Sequence, residues 1–193
     1  MVYKRRIMED YRRKYIRREL KDVNWDKTAR EAYSVQKSQY MTEETVSASH
    51  ILIKTGKDVR QDEEALALAN ELRKRAINGE SFDELARQYS EDPSAAGNAG
   101  NLGFFKRGQM VKPFEEAAFG MQEQGAISEV VESPFGYHII QYHSRRPPEQ
   151  IPFEKIKDQI VDELQKQMGA QVWQDKIIRI RSAGDIEVNE DAL

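Results

Sequence analysis

Two of the three histidines in this 193-residue chain lie inside strongly apolar runs, His50 in HILI and His138 in YHII. An imidazole is costly to bury unless it is hydrogen-bonded. One such histidine is most often a satisfied core residue. Two, on strands able to lie side by side, suggest an imidazole pair that shares a hydrogen bond and fixes both tautomers. Asp92 is the third polar candidate. It precedes Pro93, and Asp-Pro also has an ordinary use in starting turns. Cysteine is absent, which excludes disulfide and thiolate chemistry, and no HExxH pair occurs, so neither a metal nor a cofactor is expected. What remains is polar or electrostatic chemistry beside apolar surface.

That surface is concentrated in NLGFFKRGQMVKPFEEAAFGM, residues 101–121. Leu102, Phe104, Phe105, Met110, Val111, Phe114 and Phe119 crowd a stretch whose first half Gly103, Gly108 and Pro113 keep from being helical. These side chains are either core or the lining for an apolar guest.

The surrounding elements are legible from periodicity. VSASHILIK reads as a buried strand, rich in β-branched residues. Ala65, Leu68, Leu72 and Ala76 mark a helix over 61–77 that Asn78-Gly79 closes. Ser81-Phe82-Asp83-Glu84 is a capping box that opens a second helix with Phe82, Leu85, Ala86 and Tyr89 on its buried stripe. SAAGNAGNLG reads as turns, and Pro113 as the first position of a helix ending at Gly120. ISEVVE and GYHIIQYH read as two strands joined by the Ser133-Pro134-Phe135-Gly136 turn. The economical fold is α+β, a four-stranded antiparallel sheet with covering helices.

Before and after this zone lie amphipathic helices. Tyr3, Ile7, Tyr11 and Tyr15 recur at i+4, and a second helix is expected over about 26–40 with Tyr33 and Tyr40 on its apolar side. Beyond Pro147-Pro148, the run from Phe153 to Ile180 has helical spacing, in one helix or two, and Ile186-Glu187-Val188 alternates like a short strand. Neither flank can bury a core alone. Residues 1–44 and 149–193 are therefore expected to form one helical domain, with 46–145 inserted in it.

Residues 1–21 carry nine Lys/Arg against three acids, so the rest of a chain with net charge −3 is decidedly acidic. A basic helix invites nucleic acid or anionic lipid, but charge runs are usually solvated faces, and no nucleic-acid partner is expected. No apolar run of about 18 residues is present for a membrane span, and no secretory signal is visible.

SHILIK, YSEDPSA, GNLGFFKRGQMVKPFEEAAF and SPFGYHII occur in the order and spacing of the parvulin-type (PpiC-like) peptidyl-prolyl cis–trans isomerases, and residues 46–145 resemble that rotamase family. The Tyr-rich helix before ASHIL and the tail PFEKIKDQIVDELQ…DIEVNEDAL are similar to its extracytoplasmic foldase and chaperone members.

The resemblance implies a set of roles. His50 and His138 match the paired histidines behind the active site, and Asp92 a position that holds Asp or Cys. Leu102, Met110 and Phe114 match the apolar walls of the proline pocket, with Phe105 in or near the same wall. Met110 and Phe114 would grip the pyrrolidine ring and Leu102 would lie beneath it. Phe135 stands where some members have a small hydroxyl residue, and would narrow the cleft. Asn101 replaces the usual Asp of a Gly-Asp-Leu-Gly turn while keeping a side chain able to bond the turn backbone. The implied activity is non-covalent isomerisation of proline peptide bonds in unfolded or exported polypeptides, outside the cytoplasm. The alternative is a holdase chaperone with a degenerate parvulin domain. The loop KTGKDVRQDEEA scatters Lys54, Lys57 and Arg60 among acids, so unmodified rather than phosphorylated segments are the expected substrates. The helical flanks offer a surface for a homodimer.

Overall fold

The computed structural model describes residues 2–56 and 60–184. By internal contacts the chain separates into two compact units, Thr42–Glu149 and the two flanks up to Met41 and from Gln150 onward.

The Thr42–Glu149 unit is built on a four-stranded antiparallel sheet in the order β2-β1-β4-β3. Its strands are β1 (Thr45–Lys54), β2 (Asn101–Lys106), β3 (Val131–Ser133) and β4 (Gly136–Arg146). The expected α+β class holds. Both central strands are buried on both faces, which explains why HILI and YHII are continuous rather than alternating. On one face Ile51, Ile53, Tyr137 and Ile139 pack beneath α3 (Asp62–Ile77) and α4 (Phe82–Tyr89), through Leu72, Phe82 and Leu85. On the other, Val46, Ala48, Ile140 and Tyr142 meet Phe105 of β2 and Phe114, Ala118 and Phe119 of α6 (Lys112–Gly120). The apolar crowd at 101–121 is thus first of all a second core.

Three local readings need revision. Of ISEVVE only Val131 and Glu132 lie in a strand, β3, which ends at Ser133. The Ser128 hydroxyl, instead of a backbone carbonyl, accepts the Ile140 N–H at 3.0 Å, and so breaks the ladder. The turn-rich SAAGN contains a helical turn, α5 (Ala95–Asn98), which Ala99 ends at φ 55°. Pro113 is the second residue of α6, whose N-cap is Val111.

β2 is an edge strand, yet three of its backbone groups are occupied by side chains and not by another strand. Asn101 Oδ1 accepts from Gly103 N at 2.7 Å, the Asx bond expected at that turn. Gln109 Oε1 accepts from Lys106 N at 2.8 Å, and Asn98 Nδ2 donates to Asn101 O at 2.9 Å.

In the flanking unit, α1 (Val2–Glu19) and α2 (Trp25–Val35) pack on α7 (Phe153–Ser182). α7 is a single 30-residue helix. α2 stops at Val35, and Tyr40 follows a short 3-10 turn, Lys37–Gln39, instead of lying on the helix. Tyr11 and Tyr15 meet Trp173 edge-on at 6.2 and 6.3 Å. Gly169 gives Ile16 its close seat, since a Cβ there would stand 3.2 Å from the Ile16 side chain. Tyr33 donates to Ile151 O at 2.7 Å, and Asp26 binds both Arg30 and Lys157. No described helix is long and apolar enough to cross a membrane. The strand expected at 186–188 lies outside the described residues.

Candidate active site

β1 and β4 pair with His50 opposite Ile140 and Leu52 opposite His138. Directly opposite residues share a face, and so do residues two apart on one strand. The two imidazoles are therefore diagonal neighbours on one face of the sheet. Their Nδ1 atoms are 3.2 Å apart and the rings nearly parallel, at 16°.

Asp92 reaches them because the chain after α4 docks on the part of β1 that β2 leaves uncovered. Glu91 N donates to Leu52 O at 2.8 Å, and Ser90 Oγ accepts from Leu52 N at 3.1 Å. The Glu91 carboxylate takes Lys54 N and, at 3.2 Å, Arg60. Gly100 O takes His50 N at 2.9 Å. These loops stand in for a missing strand and deliver Asp92 beside His50, with Oδ2 3.1 Å from His50 Nε2.

The result is one hydrogen-bonded chain. Ser94 donates from its amide and its hydroxyl to Asp92 Oδ1, at 2.8 and 2.6 Å. At the far end Ser133 Oγ lies 2.7 Å from His138 Nε2. Burial holds the His50 imidazole below its ordinary pKa, against the opposing pull of Asp92. Burial, then the neighbouring His50, lowers His138 to about 4. Burial pushes the Asp92 carboxyl up, but the Ser94 donors and His50 outweigh it and hold the group below the usual range. With both imidazoles neutral and Asp92 ionised, the proton positions follow. Ser133 donates to His138, His138 to His50, and His50 to Asp92. Every proton points toward the carboxylate.

Because these imidazoles are neutral in the folded chain and charge more readily once it unfolds, acid favours unfolding. The stability they confer is complete above about pH 6.5 and drains away as pH falls toward 4; below 3.8 Asp92 adds to the loss. For His138 alone the loss amounts to roughly 3 kcal/mol. Urea melts at pH 7.5 and 4.5 should show it, with His138→Gln reducing the difference. A pH-independent midpoint would refute the account.

The Phe114 ring stands edge-on to both histidines, its centroid 5.6 Å from that of His50 and 5.4 Å from that of His138. Phe105 touches Phe114 at 6.0 Å. Phe114 and Phe105 are only 2% and 3% exposed, so they form a floor. Leu102 and Met110 are half-buried on the same cluster and supply the accessible apolar surface. Phe114 is thus covered, whereas Leu102 is partly open to solvent. Phe135 is 59% exposed, and its N–H donates to Ser133 Oγ at 3.1 Å.

Ser133, Ser94 and Glu91 were not singled out from the sequence. Their only signal was position, each within two residues of one that was. Of the loop after β1, Lys57 and Asp58 lie outside the described residues.

A family model described as the PPIC-type PPIASE domain matches residues 33–146. A chaperone SurA from Alkalilimnicola ehrlichii is 38% identical over 141 residues, 73% of this chain and 32% of that protein. A foldase protein PrsA from Halalkalibacterium halodurans is 42% identical over 147 residues, covering 76% of this chain and 39% of that one. The chain thus spans between about a third and two fifths of the length of these curated relatives. Among solved structures, one from a study of PEB4 and the periplasmic protein Cj1289, SurA-like chaperones of Campylobacter jejuni, superposes with a TM-score of 0.65. It is 27% identical, and the match covers 97% of this chain and 71% of that one.

Proposed function

The chain belongs to the PPIC-type peptidyl-prolyl cis–trans isomerase family, and from that premise we propose that its Thr42–Glu149 unit rotates proline peptide bonds of polypeptide clients that the helical unit holds. The observation that carries this reading is the unbroken chain from Ser94 through Asp92, His50 and His138 to Ser133, set against the apolar Phe114 floor.

The barrier to be lowered is about 18–20 kcal/mol and arises from amide resonance, which places negative charge on the carbonyl oxygen. A proline ring seated between Leu102 and Met110, over Phe114, leaves the preceding carbonyl beside Asp92. A carboxylate there opposes charge build-up on that oxygen, disfavours the planar resonance form and eases the twist. Apolar surroundings strengthen the effect by excluding water. His50 and His138 act through Asp92: neutral and locked in one tautomer each, they hold the carboxylate ionised and immobile. No bond to the substrate is made or broken.

Substrate preference for unmodified segments is supported at Arg60, whose guanidinium is paired with Glu91. A location outside the cytoplasm is supported by the likeness to a family of chaperones that includes a periplasmic member. Pairing of two chains through the flanks is supported by Ile7, Met8 and Tyr11, each about half exposed along α1.

The test is refolding of a protein limited by proline isomerisation, a phase of tens to hundreds of seconds. Substoichiometric amounts of this chain should accelerate it several-fold, and a phosphoserine-proline tetrapeptide should turn over no faster than a glutamate-proline one. Suppression of aggregation only near equimolar ratio, without acceleration, would overturn the proposal.

A further inference from the structure

The helical unit carries a groove of about 740 Å³ between α1, the start of α2 and α7, far richer in one kind of charge than the chain at large. Ile16, Leu20 and Trp25, all half-buried, line it. Five of its lining residues are Lys or Arg, against Glu9 and Asp162, in a chain whose net charge is −3. Arg13 is paired with Asp10, Lys21 lies beside Asp22, and Arg12 rests 5.9 Å from the Trp173 ring. Arg17 and Lys166 have no ion-pair partner among the described residues.

We propose that this groove is a docking site for an acidic, extended polypeptide segment bearing a large apolar side chain. The inference rests on the reading that the helical unit holds clients, and gives that holding a place and a chemistry.

Three features favour this occupant. The apolar lining is concave and offers Trp25 with two aliphatic neighbours, room for one anchoring side chain such as Phe or Leu. The guanidinium of Arg17, unpaired among the described residues, presents a fork suited to a carboxylate, and the Lys166 ammonium a second positive point. From Glu9 to the end of α1 at Glu19 is about 15 Å at 1.5 Å per residue. That matches about five residues of extended chain. Nucleic acid fits less well, because Glu9 and Asp162 interrupt the cationic lining that a phosphate backbone would follow. A membrane surface fits less well too, since the apolar residues line a concavity and do not form a flat face.

The experiment measures binding of fluorescein-labelled ten-residue peptides to the full chain by anisotropy at low salt. One peptide flanks Phe-Leu with Glu and Asp, a second replaces the acids with Lys, and a third keeps the acids but replaces Phe-Leu with Gly-Ser. The first should bind at least about tenfold more tightly than either other, and should weaken several-fold between 50 and 300 mM NaCl as exposed charges are screened. Arg17→Glu with Lys166→Glu, both on exposed positions, should cost at least about tenfold. Equal binding of the Lys peptide, no effect of the double variant, or tighter binding to phosphatidylglycerol vesicles or a 20-nucleotide single strand would each overturn the proposal. Tetrapeptide isomerisation by the same preparation is read in parallel. Failure of peptide capture with isomerisation intact removes this inference alone, whereas loss of isomerisation with capture intact removes the catalytic reading.

Discussion

Asp92→Ala is expected to lower kcat/KM for isomerisation of a proline tetrapeptide about 10- to 100-fold, which is about 1.4–2.7 kcal/mol of barrier. The carboxylate is the one charged group in the hydrogen-bonded chain and is itself partly open to solvent, its side chain 22% exposed. On the proposed mechanism, removing it deletes the field that disfavours the resonance form; it also leaves the His50 Nε2–H and the Ser94 donors without their acceptor. The fold should survive, because Ser90 and Glu91, which seat this segment on β1, are untouched. Asp92→Asn separates the two consequences. It keeps the size and one acceptor but not the charge, so it should be nearly as slow as the alanine variant. Full activity in the alanine variant would remove Asp92 from the mechanism, and full activity in the asparagine variant alone would remove its charge.

Gly100→Ala should destabilise the protein by about 3–5 kcal/mol, through a forced overlap at a left-handed backbone position. Gly100 has φ +71°, and a Cβ there would lie 2.1 Å from His50 O. The loop has no room to retreat, because Gly100 O accepts the His50 N–H at 2.9 Å and holds the two backbones together. The same displacement would tilt His50 away from Asp92. A drop in Tm on the order of 10 °C or more follows from the stability loss, and activity should fall with it in the residual folded fraction. Gly97→Ala is the control: it has an ordinary φ and nothing within 4 Å of a built Cβ, so it should melt close to the parent. If Gly100→Ala melted alongside it, the account of how His50 is held would be wrong.

These two cases show what the residue order carries on its face and what it hides. His50 and His138 announced themselves because a polar ring inside an apolar run is costly, and that cost does not depend on tertiary detail. β1, α3 and α4 were readable for a similar reason: their patterns repeat along the chain and Ser81 caps where a cap was needed, accepting from Glu84 N at 3.4 Å. Ser133 and Ser94 were invisible. A hydroxyl in a turn has a local explanation already, and only the meeting of segments distant in sequence gives it an imidazole or a carboxylate to bind. Ser128 misled for the opposite reason. Its hydroxyl displaced a carbonyl, and so shortened a strand whose apolar spacing was sound. The burial depths of Phe105 and Phe114 were equally out of reach, since spacing tells which residues are apolar and not which neighbour will cover them. Whether 153–182 formed one helix or two was open as well, since the apolar period is the same in either arrangement.

Under the proposed function, the occupied backbone groups of β2 bear on what becomes of a client after it has been turned over. A bare strand edge is a template to which any extended chain can add itself, and an unfolded polypeptide is an abundant supply of such chains. Here Asn98, Asn101 and Gln109 have filled places where a newcomer would zip on. Under the proposed function a substrate finds fewer main-chain partners along this edge, so it is released more readily than from a bare strand and is less apt to start a fibril there.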